Sequence, residues 1–169
     1  MLSQWQKYCQ HIGYQGEAAV AEELRARGFE VRHDGSNHPH DLVINGSTTV
    51  EVKTAHPSAG GPGRRNRWQF ILFKRNGHSR PIEEDLLILR LQTLAKGELE
   101  PQVLGHYVIP GRLLPAKLTK IDITGEPAAY NGRYSEYLEA WPLVEPEVTR
   151  NDHQGHQVPL TPPVDNVPF

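Results

Sequence analysis

His40-Asp41-Leu42-Val43-Ile44-Asn45-Gly46-Ser47-Thr48-Thr49-Val50-Glu51-Val52-Lys53 is the stretch whose reading decides the fold. Two short apolar runs flank Asn45-Gly46, a dipeptide that favours the positive backbone angles of a tight hairpin turn, so residues 41–45 and 48–55 are expected as paired strands. On a strand, Glu51 and Lys53 point to one face and Val52 to the other, toward a core. Asp41 joins them only under a condition. A two-residue turn would set Asp41 across from Val50 and on the wrong side. A loop of three or five residues, or a bulge before Glu51, restores the parity.

Given that parity, the chemistry is specific. Two carboxylates can hold a hard divalent cation, with water completing its shell. Such an ion polarises a phosphoryl oxygen and acidifies a bound water. A lysine beside it can orient the attacking water and offset phosphate charge, and a dry cleft would lower its pKa. Glu-x-Lys alone is common on exposed strands and carries little information. Glu17 adds to it, because a carboxylate early in a helix packed on the sheet can reach over the strand ends. As a bare first-turn acid it would only complement the helix dipole.

Outward from this centre, residues 3–11 are expected as a short helix with Ser3 at its N-cap and Gly13 interrupting it. Residues 15–27, rich in Ala, Glu, Leu and Arg, form a second helix, with Gly28 at C′. Phe29-Glu30-Val31-Arg32 alternates like a short strand, and 33–40 reads as a loop. After the hairpin, the Gly- and Pro-rich residues 56–67 read as a mobile loop. Strands are expected at 68–74, at 85–91 and at 106–110, where Pro110 stops the last. A closing helix is expected from Arg133 to Trp141. Helix, three strands, two further strands and a helix make a mixed α/β layer around one sheet.

At 169 residues the chain suits one ordinary domain, expected over 1–142. Six prolines from Pro142 to Pro168 mark 143–169 as an acidic, extended tail. No apolar run approaches a membrane span, and the start lacks the pattern of a signal peptide. One cysteine, Cys9, cannot form an internal disulfide; a reducing cytoplasm and a half-buried thiol are the expectations. The net charge is −2, which speaks against a nucleic-acid partner until its distribution is seen. From Lys53 to Arg80 there are seven cations and no acid: Lys53, Arg64, Arg65, Arg67, Lys74, Arg75 and Arg80. Local field matters more than net charge for phosphate binding. His33, His38 and His40 match no strong zinc spacing, and no cysteine accompanies them. His40 contacts a phosphate or caps the loop. Trp68 reads as a core aromatic at a strand start, or as a base-stacking residue.

The order of Glu17, Asp41, Glu51-Val52-Lys53 and Gln69 resembles the PD-(D/E)xK nuclease superfamily, with its restriction-endonuclease-like fold (an α-β-β-β-α-β type core). Residues 13–110 carry the likeness. Its compact size and the helix Gly13-Tyr14-Gln15-Gly16-Glu17 look most like Holliday junction resolvases and small homing-type nucleases. His40 stands where the family's name-giving motif has proline. By this resemblance Asp41 and Glu51 would bind Mg²⁺ (Mn²⁺ as a substitute), with Glu17 auxiliary. Lys53 would be the catalytic lysine and Gln69 would support the lysine or the water. The substrate would be DNA, gripped by Arg64, Arg65, Arg67, Lys74 and Arg75, with a homodimer cutting two strands. The alternative from another class is a silent module on the same fold, holding DNA or a protein without cutting.

Overall fold

The computed structural model describes residues 3–34, 40–58, 65–72, 82–93 and 100–145. The elements are α1 (Gln4–Ala26), β1 (Val31–His33), β2 (Leu42–Ile44), β3 (Thr48–Ala55), β4 (Arg67–Ile71), β5 (Leu86–Thr93), β6 (Gln102–Pro110) and β7 (Lys120–Thr124), with short 3-10 turns at 111–113, 127–129, 135–137 and 141–144. Five strands form a mixed sheet in the order β1-β2-β3-β5-β6. Within it β3 and β5 run parallel and the other neighbours antiparallel. The second, two-stranded sheet pairs β4 with β7.

Alternation sorts the core into two layers. Val50 and Val52 of β3, with Leu86 and Ile88 of β5, pack against Val20, Ala21 and Leu24 of α1. Leu87, Leu89 and Leu91 face the other way, onto Trp68 and Phe70 of β4 and Ile121 and Ile123 of β7. Trp68 is fully buried, as a core aromatic should be, and its indole N–H donates to the Gln92 carbonyl at 3.2 Å. The order of layers is therefore helix, five-stranded sheet, two-stranded ribbon.

Several expectations are corrected. The first two helices are one, because Gly13 has open space around it and costs only about 1 kcal/mol in a helix whose flanks propagate strongly. Gly28 ends that helix at φ +93°, as expected. Strand 68–74 does not extend the main sheet: β4 leaves it and pairs with β7, while residues 73 and 74 lie outside the described ones. The closing helix is absent. Residues 133–141 form 3-10 turns laid along β6, where Tyr107 bridges Leu138 and the Glu139 amide donates to the His106 carbonyl at 2.7 Å. Glu139 takes a left-handed φ of 51° to do this, so sheet-edge pairing overrides helix propensity. Among the described residues α1 is the one α-helix, and the ribbon covers the face of the sheet opposite it. The body runs on to Val144, which is buried; residues 146–169 of the expected tail lie outside the described ones.

Candidate active site

The hairpin turn meets the parity condition. Leu42 pairs with Val50 and Ile44 with Thr48, leaving a three-residue loop, Asn45-Gly46-Ser47. Asn45 and Gly46 both take positive φ, 49° and 77°, which their residue types tolerate best. Asn45 also ties the turn to its neighbour, exchanging hydrogen bonds with the Glu30 backbone at 2.8 and 3.0 Å. Continued one step, the register sets Asp41 beside Glu51. There β2 ends: the Asp41 amide donates to the Val50 carbonyl at 3.0 Å, out of ladder step. Its carboxylate turns to the open edge of β3 and accepts the Val52 amide at 2.8 Å.

Glu51 and Lys53 alternate with the two valines under α1 and emerge on the opposite face. Glu51 is buried, and its Oε1 accepts from the Lys53 ammonium. The helix supplies the fourth group. Gly16 lets α1 press directly on β3: a Cβ there would lie 1.8 Å from the Thr54 hydroxyl. The next residue, Glu17, thereby comes within electrostatic reach of Asp41, Lys53 and Glu51. Burial first, then the Asp41 and Glu51 charges, push its carboxyl up to about 7, against the pull of Lys53. Burial and the Glu51 charge raise Asp41 as well, against Lys53 and the Val52 amide.

Lys53 departs from expectation. Burial lowers its pKa, but the Glu51, Asp41 and Glu17 charges outweigh burial and leave it raised. It is a fixed cation at neutral pH rather than a poised base. Gln69 is not brought to this site. It lies on the ribbon, where its amide donates to Asp122 at 3.1 Å. Arg67 grips the same Asp122 with two hydrogen bonds, 3.1 and 2.8 Å. Of the remaining expected phosphate contacts, Arg65 is exposed, and Arg64, Lys74 and Arg75 lie outside the described residues. His40 pairs with Asp34, as does Arg32; His38 lies outside the described residues. Cys9 is exposed, not half-buried.

Among the described residues no three His, Cys, Asp or Glu side chains are gathered closely enough to hold a metal ion together. The donor chemistry nonetheless fits a hard cation. Asp41, Glu51 and Glu17 offer oxygen ligands only, and Glu17 and Asp41 carry proton affinities raised first by burial and then by neighbouring carboxylate charge, a repulsion that a divalent ion relieves.

Comparison with known proteins enters here. No protein-family model matches the chain, and no curated protein matches it. Among solved structures it is similar to a bacterial homing endonuclease, I-Ssp6803I, at a TM-score of 0.54 and 18% identity, over 85% of this chain and 92% of that one. The likeness is one of fold: a nuclease-like α/β arrangement of a mixed five-stranded sheet and an N-terminal helix.

Two features escaped the sequence reading. One is β7, Lys120-Ile121-Asp122-Ile123-Thr124, whose polar–apolar alternation is a strand signal in plain view. The other is a buried polar row on the helix side of the sheet. Arg90 donates to Gln92 at 3.1 Å and lies 3.4 Å from His106, and Glu23 of α1 adds an attractive charge. A charge in the middle of Leu-Ile-Leu-Arg-Leu gives no local hint of its partners.

Proposed function

We propose that the chain is a metal-dependent endonuclease that hydrolyses phosphodiester bonds in DNA. The observation that supports this is the Lys53 ammonium paired with Glu51 beside β3, with the charges of Asp41 and Glu17 within electrostatic reach of it. The fold shared with a homing endonuclease supports it. Asp41 and Glu51 would hold Mg²⁺ (or Mn²⁺), with Glu17 as an auxiliary ligand. When bound, the ion supplies charge stabilisation at the phosphoryl oxygens and a more acidic water. Lys53, kept charged by three carboxylates, orients the attacking water through its N–H donors and offsets charge on the phosphate. In the metal-free protein the Glu17 carboxyl is pushed up to about 7, so metal binding there would release a proton. The Asp41 carboxylate is fixed by the Val52 amide, so one of its oxygens remains for a ligand.

The test is cleavage of linear, circular and branched DNA with Mg²⁺ and with Mn²⁺. Lys53→Ala should lower the rate by about 100-fold or more while DNA affinity stays within about twofold. Absence of metal-stimulated cleavage of every substrate by the wild type would sink the proposal.

A further inference from the structure

The outer face of the ribbon has a composition that core packing does not explain. Its inner residues, Trp68, Phe70, Ile121 and Ile123, are buried. Its outer residues form three cross-strand pairs, Arg67 with Thr124, Gln69 with Asp122 and Ile71 with Lys120. These are hydrogen-bonding side chains around one apolar one, and Ile71 is 41% exposed. At one end the face opens into a cavity of about 640 Å³ whose lining includes Arg65, Asn66, Asn131 and Glu126. Among the described residues none of those first three side chains has a hydrogen-bond partner, whereas Arg67 is held by Asp122.

We propose that the β4–β7 ribbon lies in the major groove of duplex DNA and reads base edges there, with Arg65 and Asn66 extending the contact at the ribbon's end. This rests on the reading of the chain as a DNA endonuclease and names the part that chooses the sequence. A major groove about 12 Å wide admits a two-stranded ribbon. Arginine pairs with guanine N7 and O6, glutamine and asparagine with adenine, and an apolar group meets the thymine methyl. The face supplies each of these. Arg67 spends Nε and one hydrogen of Nη2 on Asp122 and keeps Nη1 free, so the guanidinium is oriented before it meets a base. Arg65, Arg67 and Lys120 against Asp122 and Glu126 leave the face with one net positive charge toward phosphates.

The position fits as well. Ser58 bridges Arg67 and stands five residues beyond Lys53 on the same chain direction. The ribbon therefore begins within roughly 23 Å of Lys53, a span of about seven base pairs. It would read bases within that span of the cut.

The experiment selects a duplex library, randomised over 20 to 30 base pairs, for binding to the full chain in Ca²⁺ and sequences what is bound. Gln69→Ala and Lys120→Ala, both exposed positions, are selected in parallel, with circular dichroism melting as the folding check. The wild type should enrich a defined sequence. Each variant should bind that sequence about tenfold more weakly and unselected duplex within about twofold. Replacing enriched purines by 7-deazapurines, which lack the major-groove N7, should weaken the wild type similarly. Variants that enrich the same sequence as the wild type, or 7-deazapurines without effect, would overturn the proposal. So would loss of cleavage in Gln69→Ala with base preference intact, which would put Gln69 in the cutting site. Sequence enrichment without cleavage in Mg²⁺ or Mn²⁺ would sink the nuclease reading and leave the ribbon's role standing. Cleavage without enrichment would do the reverse.

Discussion

Glu17, Lys53 and Asp41 are charged side chains of the candidate site, and each carries a measurable consequence. Glu17 has a carboxyl raised from 4.5 to about 7. Between those two values the metal-free folded protein keeps a proton that the unfolded chain has released. Stability must therefore fall as pH rises through that window and level off above it. After discounting for solvent, since the group is about half exposed, the loss is about 1–2 kcal/mol. Asp41, also raised, acts in the same direction. Glu17→Gln should flatten most of the slope in chelator-treated protein, read as urea midpoints from pH 4.5 to 8. An unchanged slope would mean that Glu17 is not strained by its neighbours. Lys53 acts with the same sign at far higher pH: its raised pKa gives stability that persists through neutral pH and is lost only in strong base. At Asp41, Ala should cost about 1 kcal/mol more than Asn by thermal unfolding, because Asn keeps an acceptor for the Val52 amide.

At the scale of elements, the hairpin and the helix crossing bring the site together. Gly46→Val places a β-branched residue at φ 77° and should destabilise by about 1–3 kcal/mol. Gly16 is under a different constraint. Any side chain there meets the Thr54 hydroxyl, so Gly16→Ala must either turn Thr54 or lift α1 from β3. The expected signature is a larger fall in cleavage than in thermal midpoint, because Glu17 moves with the helix. A drop in stability with cleavage unchanged would separate Glu17 from the site. The hairpin, with its Asn-Gly turn and alternating apolar residues, was readable residue by residue, and so was β5 as a continuous apolar run. β4 was found as a strand but assigned to the wrong sheet. Its own sequence says only that one face is buried, and both sheets offer a buried face. The segment 133–141 has helix-forming residues, yet β6 claims its backbone.

For the whole molecule, the chain after β7 closes the helix side of the core. Trp141 is buried, donates to Glu139 and lies 4.5 Å beneath the Arg27 guanidinium. Ending the chain after residue 140 instead of 145 removes Trp141 and the buried Val144 together. The loss should be about 3–5 kcal/mol by chemical unfolding, comparable to deleting a large core side chain. Equal stability of the two truncations would place both residues outside the core.

The sequence by itself determined the strand–turn–strand around Asn45-Gly46, the pairing of Glu51 with Lys53 on one face, and the class of α/β layer. Those depend on turn chemistry and on the two-residue period of a strand, which are local. Only the tertiary structure decided that Glu17 comes within electrostatic reach of them, that Lys53 stays charged, and that Arg67 and Gln69 belong to a separate ribbon around Asp122. Each of these is fixed by a contact between residues far apart in the chain: Gly16 on Thr54, three carboxylates around one ammonium, and β4 against β7. Burial and charge act through space, so their outcome is set where the elements meet.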